Sequence, residues 1–302
     1  MRRGLWLAFV FCTTAVFAQS PAMKPFEVNM DRVKVSAFGG NFATTTTYLI
    51  PTVNLQVSVQ GSVWAKSNRA KAHAKYYVEG ASKVMLQGLA KKIQDDLVAR
   101  LRGAGYTVLT YDDVKGEPDV ASHSRNTIDK RYDVPTTGGL GAPVTFVLAN
   151  PSDEQSFTSP IQGAAWWLRD IAKAKNLTVI VPELTFTTPQ MFGEASSTAY
   201  TDSAGISTDP SMIFEGAKII GQTPKGGSPA YVIQQHGKRK AAESAGTIVH
   251  AFGDRTHVNH IMDTTTDDYV MTLDETAFTD GILRVAFAVN DVLVKEIVKE
   301  HR

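Results

Sequence analysis

The strongest pattern in the chain is the alternation in TVNLQVSVQGSV, where Val53, Leu55, Val57, Val59 and Val63 are apolar and Asn54, Gln56, Ser58, Gln60 and Ser62 polar. A period of two puts successive side chains on opposite faces, so this segment predicts a strand with one buried and one wet face. Shorter strands are predicted at RVKVSAF (32–38), YTVLTY (106–111), VTFVLA (144–149), LTVIVPELTF (177–186) and GTIVHAF (246–252). Within the fourth, Pro182 marks an edge or a bulge, because proline cannot donate to a ladder. SMIFEGAKIIG and AYVIQQHGKRK, joined by the turn-rich TPKGGSP, predict a hairpin.

Elsewhere the period changes. Between residues 79 and 103, Leu86, Leu89, Ile93, Leu97 and Leu101 recur at three and four, with Lys91, Lys92, Asp95, Asp96 and Arg100 between them. This predicts an amphipathic helix, ended by Gly103 and Gly105 and favoured by Arg100 and Arg102 at the negative end of its dipole. Ser159 and Pro160 form an N-cap and first-turn pair for a helix through IQGAAWWLRDIAKAKN. At the C-terminus, Phe278, Ile282, Val285, Val289, Val292 and Ile297 form a stripe that Leu283, Phe287, Val294 and Val298 broaden, as in a helix integral to the core.

The order of elements predicts an α/β (α+β) fold: a single mixed sheet flanked by amphipathic helices, with the long C-terminal helix packed on it. One domain is expected over 31–302, after a leader at 19–30. Residues 112–141 and 187–210 are weakly patterned and are expected as long loops, as is the polar TTTDDY that follows residue 263.

The first eighteen residues, MRRGLWLAFVFCTTAVFA, have the form of a secretory signal peptide cut between Ala18 and Gln19. The expectation is therefore a periplasmic or secreted protein with no transmembrane segment in its mature chain. Cys12 is the sole cysteine, so after cleavage no disulfide or thiolate chemistry remains. Loss of Arg2 and Arg3 leaves 29 basic groups from the original 31, against 30 acidic ones, a balance unlike that of a nucleic-acid binder.

Candidate chemistry is sparse. His257, His260 and Asp263 would meet on one face of a helical turn and could ligate a metal, whereas a polar loop would scatter them; His250 belongs to the strand GTIVHAF. Trp166 and Trp167 could offer a stacking platform for a glycan or an apolar ligand. The chain contains no Gly-x-Ser-x-Gly, Ser-x-x-Lys or His-Glu-x-x-His motif, no catalytic residue is assigned, and no cofactor is expected.

Five pieces resemble, in order and character, the periplasmic α/β domain of curli-secretion-channel proteins, penicillin-binding-protein activators and related flagellar accessory proteins. They are RVKVSAF, LAKKIQDDLVARLRGAGYTVLTYDDV, AKAKNLTVIVPELTF, the hairpin SMIFEGAKIIG to AYVIQQHGKRK, and ILRVAFAVNDVLVKEIV. The resemblance implies a non-catalytic accessory or scaffold protein of the bacterial envelope, working through contacts with envelope proteins and able to associate peripherally with the outer membrane. Phe11 before Cys12 departs from a lipidation signal. Residues 187–210, with Pro189 and no sustained alternation, depart from the membrane hairpins of the channel proteins.

Overall fold

The alternating segment becomes a 13-residue strand around which the sheet is built. The computed structural model describes residues 33–38, 40–68, 70–123, 131–135, 143–156, 168–188, 190–197, 202–209, 211–235, 243–244, 246–250, 257–258 and 264–302. In chain order these form β1 (Val33–Phe38), β2 (Thr47–Ile50), β3 (Asn54–Lys66), β4 (Lys71–Glu79), α1 (Lys83–Gly103), β5 (Thr107–Thr110), α2 (Tyr111–Val114), α3 (Pro118–His123), β6 (Arg131–Pro135) and β7 (Pro143–Ala149). There follow α4 (Arg169–Ala174), β8 (Thr178–Thr187), β9 (Gln190–Ser197), β10 (Asp202–Asp209), β11 (Ser211–Gln222), β12 (Ala230–Gln235) and β13 (Glu243–Ser244). The last elements are β14 (Gly246–His250), β15 (His257–Val258), β16 (Thr264–Leu273) and α5 (Glu275–Glu300).

The fold is mixed α/β, as the element order predicts. Thirteen strands join in one mixed sheet, and β9, β10 and β15 form a second that the sequence pattern does not announce. At the centre of the main sheet, β8 pairs antiparallel with β11 on one side and parallel with β2 and then β3 on the other. Pro182 therefore lies in an inner strand, and of the edge or bulge expected of it the edge is ruled out. On the β2/β3 side the register passes from Val179 to Glu183, so the proline stands opposite the break at Pro51–Val53, where the ladder is already interrupted.

Two helices cover one face of this sheet. Ser82 caps α1 by accepting from the Met85 N–H at 3.2 Å, and Asp274 caps α5 by accepting from that of Ala277 at 2.9 Å. Leu86, Leu89, Ile93 and Leu97 of α1 and Phe278, Ile282, Val285 and Val289 of α5 pack with Leu55, Val57 and Ile219 of the sheet. Each such side chain contributes roughly 1.5–3 kcal/mol on burial. Between the helices, the Asn290 Nδ2 donates to Ile93 O and Asp96 Oδ2, while Arg100 bridges Asp96 and Asp291. On the opposite face Leu49, Val179 and Val181 meet Tyr111, Val114, Val120, Leu168 and Ile171, from α2, α3 and the start of α4.

Beyond that helix-covered half, β3 runs on and folds back as β4, which pairs parallel with β16; β16 in turn pairs with β14. Here the covering layer is the second sheet. Ala65, Ala72, Ala74 and Tyr76 pack against Ala204 and Ile206 of β10, with Tyr269 of β16 alongside.

Three loop expectations change accordingly. Residues 190–197 and 202–209 are the paired strands β9 and β10. At Gly193 β9 lies close to another backbone: an added Cβ would stand 2.7 Å from the Trp64 carbonyl oxygen. Residues 264–273, including TTTDDY, form β16, where β-branched threonines suit a pleated surface and Tyr269 and Met271 are buried. Within 112–141, α3 and β6 are ordered elements, and residues 124–130 and 136–141 lie outside the described residues. Among the described residues, no helix is long and apolar enough to cross a membrane.

Candidate functional site

Of the residues singled out in the sequence, Trp166, Trp167, His260 and Asp263 lie outside the described residues. His257 is in β15, with extended backbone opposite Gly205 of β10. At His257 and Val258 the polar-loop expectation gives way to a strand pairing. His250 lies in β14 opposite Tyr269, as GTIVHAF predicts. Among the described residues, no group of three or more His, Cys, Asp or Glu side chains converges.

Two polar clusters inside the fold act as fasteners. At the end of β7, Asn150 Nδ2 reaches Thr52 Oγ1, Val53 O and Asn54 Oδ1 at 3.2, 3.2 and 2.6 Å, which holds the break between β2 and β3. Nearby, Lys83 and Gln87 of α1 bind the two carboxylate oxygens of Asp153 at 2.8 and 2.7 Å.

The second cluster ties down the end of α5. Phe42 and Ala43 donate backbone N–H groups to Glu300 Oε2 at 3.0 and 3.3 Å, and the Tyr48 hydroxyl meets His301 Nε2 at 2.8 Å. Burial above all, then Tyr106 and the Glu300 carboxylate, push the Tyr48 phenol above its ordinary range. Tyr231 is raised likewise, by burial first and Glu300 second. These phenols stay protonated at neutral pH, and the arrangement anchors the last turn of α5 against the segment before β2.

The outer face of the β3–β4 hairpin is different. Its register pairs Lys66 with Lys71, Trp64 with His73, Ser62 with Lys75 and Gln60 with Tyr77. These residues alternate with the inward set Gly61, Val63, Ala65, Ala72, Ala74 and Tyr76, so all eight share one face. The indole of Trp64 and the imidazole of His73 are stacked, with ring centroids 3.8 Å apart and planes inclined by 13°. Such a cross-strand pair contributes about 0.5–1.5 kcal/mol beyond its burial.

Trp64 and Tyr77 are each 37 % exposed, and Val84 is the other large hydrophobic residue on the described surface. Lys66, Lys71 and Lys75 are exposed beside them. On the inward side, Tyr76 lies over Gly61, whose added Cβ would come within 2.6 Å of the phenol. Burial pushes that phenol up to about 12, with Ser58 acting in the opposite direction. The inner packing is close, so the outer side chains stand on a backbone held from behind.

No protein-family model, curated protein or solved structure matches the chain.

The Trp64 strip carries a sequence signal, though a faint one. In KAHAKYYVE the inward positions Ala72, Ala74, Tyr76 and Val78 alternate with Lys71, His73, Lys75 and Tyr77. Small alanines on the buried side hide a period that valines or leucines would have made plain.

Proposed function

We propose that the chain is an exported accessory protein of a bacterial cell envelope that works as a scaffold, through contacts with envelope components. The single observation behind this reading is the outer face of β3 and β4, where stacked and exposed aromatic rings stand among lysines on a rigid support. A fold normally spends such rings in its core, and exposed aromatic clusters mark interaction surfaces. The signal peptide at 1–18 and the order of elements resembling envelope accessory domains support the same reading.

Site-specific photocrosslinking tests it. With the crosslinker at Lys75 or Tyr77 of the exported protein, discrete adducts with envelope components are expected. At Lys91 and Lys92, exposed on α1, none are expected. Free monomer alone at all four positions would contradict the reading.

A further inference from the structure

We propose that the outer face of β3 and β4 binds an extended anionic glycan, a chain of acid-bearing sugars; this deepens, and rests on, the reading of the chain as an envelope protein. Successive outward residues on a strand lie about 7 Å apart, so the face presents a ladder of groups to an extended ligand. Lys66, Lys71 and Lys75 supply positive charge, and none of them forms an ion pair with a described residue. Among the outward positions from Gln60 to Glu79 the one acidic residue is Glu79, at the end of β4, and Asp268 of β16 holds the register position beside Lys75.

Trp64, supported by His73, offers a flat ring for the C–H face of a sugar. Tyr77 lies four residues from His73, about 13 Å along β4, and offers a second such ring. Between these rings Ser62 carries a hydroxyl, and beside Tyr77 Gln60 carries an amide, both suited to sugar hydroxyls. Lysine, polar and aromatic groups together match the carboxylates, hydroxyls and C–H faces of an acidic polysaccharide.

The same face is a poor match to a bilayer. A surface that docks on lipid buries bulky aliphatic side chains among the headgroups, and the outward positions of β3 and β4 from Gln60 to Glu79 include no Leu, Ile, Val or Phe. The support behind the face, Ala65, Ala72 and Ala74 on β10, is formed without ligand, which lowers the ordering cost of binding.

The test uses the purified mature chain with alginate, a polymer of uronic acids, against three controls: neutral dextran, dextran sulfate and phosphatidylglycerol vesicles. Alginate is expected to bind, dextran not to, and binding is expected to weaken as salt rises from about 50 to about 300 mM. Trp64→Ala is expected to weaken alginate binding about tenfold, a change of about 1.4 kcal/mol, and Trp64→Phe to restore most of it. The double variant Lys71→Gln, Lys75→Gln is expected to weaken binding about tenfold and flatten its salt dependence. Val84→Ser, away from the strip, is expected to change neither, and circular dichroism is expected to show every variant folded.

Alginate binding that is indifferent to Trp64→Ala, or absent, overturns the proposal. So does vesicle binding that depends on Trp64 when alginate binding does not. If alginate fails while Lys75 and Tyr77 still crosslink to envelope proteins, the glycan is wrong and the scaffold reading stands; if the crosslinks fail as well, both fall.

Discussion

The two halves of the main sheet are covered in different ways. Over β8, β11 and the start of β3, the layer on one face is α1 and α5, and the space is filled by leucine, isoleucine, valine and phenylalanine. Over the end of β3 and β4 the layer is another sheet, and the filling is largely alanine. At roughly 0.8 kcal/mol for each buried CH₂, the first half contributes far more to stability. The second half sets shape: its thin core brings Gly193 against the backbone of Trp64 and fixes how the outer side chains stand.

The largest expected effect is in the helix-covered half. Leu97→Ala, at a fully buried position of α1, is expected to lower stability by about 2–5 kcal/mol in denaturant unfolding. A loss well under 1 kcal/mol would deny that this half carries the stability. Gly193→Ala is the matching change in the thin half. The added methyl would meet the Trp64 carbonyl, with an expected cost of about 1–3 kcal/mol. An altered tryptophan near-ultraviolet signal is expected to accompany it, and an unchanged spectrum and midpoint would break the link between inner packing and outer face.

A smaller effect is expected within the helix-covered half, where Glu183 of β8 pairs with Asn54 at the start of β3. Burial raises the Glu183 carboxyl, and Lys218 and Gln56 offset part of that rise. Because this carboxyl is ordinary in the unfolded chain and raised in the fold, folding takes up a proton in the window between the two values. The contribution of Glu183 to stability therefore falls as pH rises through that window. Glu183→Gln is expected to remove the fall and to stabilise the protein near neutral pH by on the order of 1 kcal/mol. Denaturant midpoints measured from mildly acidic to neutral pH check this, and an unchanged slope would contradict it.

The same division governs how much could be read from the amino acids. The helices α1 and α5 are legible because large residues recur at three and four, and the hairpin β11–β12 because its turn is rich in glycine and proline. In the thin half many of the buried positions are alanines, such as Ala72, Ala74 and Ala204, which carry little hydrophobic signal, so β4 goes unmarked and β9–β10 looks like a loop. β16 is disguised by Thr264–Thr266, whose preference for strands is weaker as a signal than their polarity.

The candidate site is hard to see in the sequence for a related reason. His257, His260, Trp166 and Trp167 stand out because rare residues are close in sequence. Trp64 and His73 are nine positions apart and meet only through the pairing of β3 with β4. Adjacency along the chain is a poor guide to convergence in a sheet, where neighbours point to opposite faces.

The outer face of β3 and β4 is the proposed working surface of the molecule. Oxidative footprinting of Trp64 and Tyr77, in intact cells and in the purified chain, tests that most directly, with Val84 as an exposed reference. The expected result is strong protection of Trp64 and Tyr77 in cells and none at Val84; equal labelling of all three in both settings would contradict it.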